Sequence, residues 1–293
     1  MKNKSLLSKR DVEEIKILAE QMRGEFGISD RIPIGNNLRL LIESKGLYIC
    51  EYPFQETSGS HTDAAITIIE TEGGKLTFLG LNTSLYYDEQ LFALAHELYH
   101  YATNTGMAYE HELEQELEKT EQKADRFAAE LLLPETALNR MKVMQFDDFD
   151  FMSELPDAKA RLLRIIATIQ CTWYLPYQSI VRRFWEVGYI TNERYNELYS
   201  LDVRNTSSDY YKIFCSVDKE KCELLNKKTK SYSITNIVFE IILKNFEDGY
   251  IDEDELVDVL KVFGKTPSEF GISVDVLEED DDFDILFGKG DES

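Results

Sequence analysis

The sequence predicts an α+β fold, with a small sheet set among helices in the first half of the chain. Three observations predict it. Apolar residues recur at helical spacing near the start, three β-like runs follow, and helical spacing then returns and persists.

In order, DVEEIKILAEQMR (residues 11–23) places Val12, Ile15, Leu18, Ala19 and Met22 on one helical face, and Gly24 and Gly27 end that helix. A second helix is expected over IGNNLRLLIESKG, capped by Asn36 or Asn37 and stopped by Gly46. LYICEYPF reads as a strand. After the polar loop QETSGSHTD, the runs AAITIIE and KLTFLGLN read as two strands joined by a hairpin turn at TEGG. Helical periodicity returns at Tyr87 and carries through LFALAHELYHYA. The charged stretch EHELEQELEKTEQKADRFAAELLLP is a further helix that stops at Pro134.

From Asp157 onward the pattern is nearly all helical, in AKARLLRIIATIQCTW, YQSIVRRFWEVG and TNERYNELYS. From Tyr210 strand and helix signals mix, and an acidic segment with Glu278 to Asp282 follows. GYITNERYNEL from Gly188 is echoed by GYIDEDELVDVL from Gly249. Each copy reads as a glycine ending one helix and Thr191 or Asp252 capping the next. The second copy also resembles the back half of a calcium-binding loop, but Lys244 and Phe246 stand where its first oxygen ligands belong.

Composition narrows the classes. The 293 residues carry a formal net charge of −23, which disfavours a phosphate-backbone ligand and suits a basic protein partner. No run of about 18 apolar residues exists, so no membrane span is expected. The N-terminal residues lack an apolar signal-peptide core. Cys50, Cys171, Cys215 and Cys222 form no CxxC pair, so reduced thiols and a cytoplasmic location are expected.

The chemistry concentrates at His96-Glu97-Leu98-Tyr99-His100. Residues four apart share a helical face, so His96 and His100 can present two imidazoles to one zinc ion. Glu97 flanks the same face, where it can take a proton from water activated at the metal. Leu91, Phe92, Leu94, Ala95 and Leu98 make the surroundings apolar. A catalytic zinc site needs a third protein ligand. His111 lies in a very polar segment. Glu121 instead heads a stripe with Ala124, Ala128 and Leu131, whose small residues let its helix approach the histidine helix closely. Asp125, one turn on from Glu121, can accept a hydrogen bond from the outer nitrogen of a ligating histidine. For an oxyanion donor, His61, Tyr86, Tyr87, Tyr101 and Tyr109 are candidates that sequence alone does not separate.

LGLNTSLYYDEQLFALAHELYHY followed by EQKADRFAAELLLP resembles the ImmA/IrrE family of metallopeptidases, over residues 10–205. The resemblance implies a zincin-like domain in which His96, His100 and Glu121 ligate one zinc ion and Glu97 is the general base. It also implies a site-specific endopeptidase acting on a helix-turn-helix repressor of a mobile element or stress response. The chain then divides into residues 1–145, a zincin-like metallopeptidase domain, 146–207, a helical domain, and 208–293, an acidic α/β extension. Two other readings compete. One is a non-catalytic, zinc-folded acidic protein that sequesters a basic regulator. The other is a DNA-binding helix-turn-helix over residues 173–198 that uses Arg182 and Arg183. The surrounding acidity disfavours it, leaving Ile180, Val181, Phe184, Trp185 and Val187 as core and the two arginines solvated.

Overall fold

Ser8 and Asp11 open the first helix, α1 (Lys9–Glu25). The Ser8 hydroxyl accepts from the Asp11 backbone, and the Asp11 carboxylate accepts from Ser8 N–H at 2.8 Å. This is a computed structural model, and it describes residues 7–54, 62–71, 74–105, 114–153 and 155–273. Ile15, Ala19 and Met22 are the buried stripe of α1, as their spacing predicts. A 3₁₀ turn, Gly35–Asn37, leads into α2 (Leu38–Ser44). Asn37 sits at the cap position but makes no side-chain cap bond, because the 3₁₀ turn continues helically into α2. Gly46, at φ 74, then turns the chain into the sheet.

The sheet contains β1 (Leu47–Tyr52), β2 (Ala64–Thr71), β3 (Gly74–Asn82) and β4 (Ser233–Ile234), in the order β2-β3-β1-β4. The hairpin β2–β3 is antiparallel, with Thr71 opposite Gly74. β1 runs parallel to β3, and the two-residue β4 closes the other side of β1, with Ile234 opposite Cys50. Leu47, Ile49, Leu79 and Leu81 are buried, and alternation gives them one common face. β2 is left as the edge strand on the side where α3 (Tyr87–Thr103) packs. α4 (Glu114–Leu132) packs on both α3 and α1. Lys123 and Lys119 of α4 reach Asp11 at 2.8 and 3.1 Å, so the capping residue of α1 also ties it to α4.

Helices α5 (Glu135–Met144), α6 (Pro156–Trp173), α7 (Tyr177–Glu186), α8 (Asn192–Tyr199), α9 (Asp209–Val217) and α10 (Lys219–Leu225) follow. Gly188 (φ 73) ends the turn after α7 and Thr191 caps α8. Cys215 and Cys222 form a disulfide between α9 and α10. This corrects the expectation of free thiols at these two positions, since only the turn between two short helices brings them together. The chain then returns to the sheet as a strap. Lys230 N–H donates to Thr83 O, Thr83 Oγ1 donates to Ser231 O, and Gln90 of α3 donates to Thr229 Oγ1. Ile49 N–H donates to Thr235 Oγ1 at 2.9 Å.

Contacts divide the chain at a different place from the shifts in sequence pattern: Met1–Thr235 form one compact unit and Asn236–Ser293 a second. The helices after α5 fall in the first unit because α6 packs on α7 and α9, and α7 on α4. The second unit contains α11 (Asn236–Glu247) and α12 (Glu253–Val262), the latter opened by a capping box of Asp252 and Glu255. Phe239 meets Phe263 and Phe270, with ring centroids 5.9 and 5.4 Å away. The mixed signals beyond Tyr210 thus resolve, within the described residues, as helices plus the short β4. No helix is long and apolar enough to cross a membrane among the described residues. The segment Glu278 to Asp282 lies outside them.

Candidate metal centre

The stripe predicted on α4 is buried: Ala124, Ala128 and Leu131 have no exposed surface. With only methyl groups at Ala124 and Ala128, α4 lies close against α3. One turn before Ala124, the Glu121 carboxylate faces both histidines. Its Oε2 is 3.1 Å from His96 Nε2, and its Oε1 is 3.5 Å from His100 Nε2. The two Nε2 atoms are 3.2 Å apart. Donor atoms of His96, His100 and Glu121 all lie within 4.8 Å of one another. Nitrogen and carboxylate donors converging on one point fit a divalent ion such as zinc. Glu121 is 58% exposed, so the site opens to solvent on that side.

Each imidazole is oriented through its other nitrogen. His96 Nδ1 lies 3.1 Å from Asp125 Oδ1, where sequence spacing puts a carboxylate acceptor. His100 Nδ1 lies 3.1 Å from Thr105 Oγ1. No sequence pattern marks Thr105 as a partner of the histidine. Asn104 adopts φ 53 beyond the last turn of α3 and folds Thr105 back over His100. An asparagine just after a helix is the signal that points to such a turn.

Burial lowers the basicity of His96, but hydrogen bonds to Asp125 and Glu121 outweigh it and bring this group up to about 10. Burial and the neighbouring His96 charge lower His100, against the pull of Glu121. The hydrogen bond with His96 holds Glu121 below its usual range. Glu97 is 7% exposed, and burial pushes it up to about 7, with the His96 charge and a hydrogen bond from Ile66 N–H opposing. Ile66 belongs to β2, the outermost strand among the described residues, so Glu97 lies between the three converging donors and that strand.

All five predicted residues, His96, Glu97, His100, Glu121 and Asp125, thus gather where α3 meets α4. Tyr86 and Tyr87 lie at the far end of α3, roughly 15 Å from His96 at the usual helical rise. Arg204 and Lys228 sit over the Tyr86 ring, and Arg39 donates to the Tyr87 hydroxyl. Tyr101 lines a groove with Leu18, Ile68 and Thr77. His61, Tyr109 and His111 lie outside the described residues. Arg183 is not solvated as expected: it is fully buried and paired with Glu130 at 2.8 Å. Nor is Arg182 free, since it reaches Asp125 and Glu186.

A small sheet over a histidine-bearing helix, faced by a second helix, defines a zincin-like metallopeptidase fold. Residues 42–156 match the family described as IrrE N-terminal-like domain, a peptidase family, so this part of the chain is similar to the ImmA/IrrE metallopeptidases. No curated protein and no solved structure gives a significant match.

Proposed function

We propose that the chain is a zinc-dependent, site-specific endopeptidase that cleaves a helix-turn-helix transcriptional repressor, relieving repression of a mobile element or stress response. The observation that carries the peptidase reading is the buried Glu97 flanking three converging donors, beside β2, the outermost strand of the described sheet. His96, His100 and Glu121 would hold the ion, which supplies a Lewis acid that polarises a carbonyl and acidifies water. Glu97, raised by burial to about 7, would in its ionised form take a proton from water and return it to the departing amine. Among the described residues no strand lies outside β2, so an extended polypeptide can line up along it. The repressor as substrate rests on the family resemblance and on a net charge of −23, which suits a basic partner.

The test incubates the purified protein with the helix-turn-helix repressor encoded nearest its gene. A discrete fragment that disappears with chelator and with Glu97→Gln supports the proposal. A stable complex with no fragment favours instead a non-catalytic, zinc-folded protein that sequesters a basic regulator.

A further inference from the structure

The two carboxylate oxygens of Asp125 face different partners. Oδ1 is 3.1 Å from His96 Nδ1, and Oδ2 is 3.5 Å from Arg182 Nη1. Arg182 sits on α7, beyond the residues that match the family domain. Its Nε is 3.6 Å from Glu186 Oε1, one turn further along α7. Glu186 also pairs with Arg126, the residue after Asp125 on α4. Arg126 meets Glu130 at 3.3 Å, and Glu130 meets Arg183 at 2.8 Å. Charges of alternating sign therefore lace α7 to the helix that carries Glu121 and Asp125. The inner part of this lacing, Arg126, Glu130 and Arg183, is buried.

The outer nitrogen of a metal-binding histidine sets the plane of its ring, so the acceptor on that nitrogen has to be held still. Asp125 is 40% exposed, and water competes for a carboxylate in that position. A second partner on the far oxygen restricts its rotation. A guanidinium suits the task because its planar fork faces Asp125 with one nitrogen and pairs in charge with Glu186 through another.

We propose that Arg182 is a positioning residue for the metal site, holding the Asp125 carboxylate in the orientation that receives His96 Nδ1–H. The helical segment after the family domain then completes the centre. This rests on the reading that His96, His100 and Glu121 hold a metal ion.

The test uses cobalt(II), whose visible spectrum reports both occupancy and ligand geometry, titrated into the full chain against a competing chelator. A partner directly on a ligating histidine is worth about 10–100-fold in affinity, so Arg182, one contact further out, is expected to be worth about three- to tenfold. Arg182→Gln should weaken cobalt binding by that factor and alter the band shape, and Arg182→Lys should recover part of the loss. In an Asp125→Asn background, Arg182→Gln should change affinity by less than about twofold, because the coupling runs through the carboxylate. Equal losses in both backgrounds, or unchanged affinity in Arg182→Gln, would overturn the proposal while leaving the metal site standing. Failure of the wild-type chain to bind one cobalt ion would overturn the metal reading and this proposal together.

Discussion

His100 Nδ1 stands 3.1 Å from Thr105 Oγ1, a residue just beyond the helix that carries the histidine. With Nε2 given to a metal ion, Nδ1 would carry the ring proton and donate it to the hydroxyl. Thr105→Val keeps the shape and removes the acceptor. Metal affinity should fall about tenfold, as for other partners of ligating histidines. Chelator competition measures it, and an unchanged dissociation constant would show that the hydroxyl does not orient the ring.

Glu121 is the sole carboxylate among the three gathered donors. Glu121→Ala should leave folding intact, because the side chain is 58% exposed, and should strip the ion from the site. Elemental analysis after dialysis reads this directly. Stoichiometric zinc in the variant would remove Glu121 from the ligand set.

Glu97 carries a pH signature in the metal-free protein. Burial raises it from 4.5 to about 7, so the folded chain binds this proton more tightly than the unfolded chain does. Its contribution is fully present below pH 4.5 and is lost as pH rises through about 7. Glu97→Gln should therefore stabilise the metal-free protein at pH 8, by on the order of 1–3 kcal/mol, and make no difference below pH 4.5. Thermal midpoints in excess chelator test the pair. A variant less stable than wild type at pH 8 would contradict the burial argument. With metal present the same variant should keep its ion and lose cleavage.

Asp11 has the opposite sign. The Lys123 ammonium, then the Ser8 hydroxyl, hold its carboxyl well below the usual range against the effect of burial. Its contribution is complete above the unfolded value, near about 4, and is lost as pH falls further. Asp11→Asn should cost on the order of 1 kcal/mol at pH 7, through the cap and the link to α4, and progressively less below pH 4. Urea unfolding at the two pH values separates this from a cost independent of charge.

What could be read from the sequence was local or periodic. The hairpin β2–β3, the helix through His96 and His100, and the α4 stripe below Glu121 all announce themselves within twenty residues or so of contiguous pattern. Asp125 followed because it lies on that same helix. Arg182, by contrast, becomes a neighbour of Asp125 only when α7 docks on α4, and its own stretch looks like any amphipathic helix with solvated arginines. β4 is too short to show alternation, and its pairing with β1 depends on a strap that leaves no periodic mark. The Asn37 cap failed for a different reason, since residue preference at a helix start says nothing about a 3₁₀ turn running into it.

The strap has a consequence for the order of synthesis. Ile49 and Thr235, bonded across the sheet, are separated by 186 positions. Until residues 229–235 are made, β1 lacks its partner β4, and the N-terminal end of the histidine helix lacks the bond from Gln90 to Thr229. Closing so distant a contact is slow and comes late. The sheet is finished, and the start of the histidine helix is steadied, only once residues 229–235 have joined the rest of the chain.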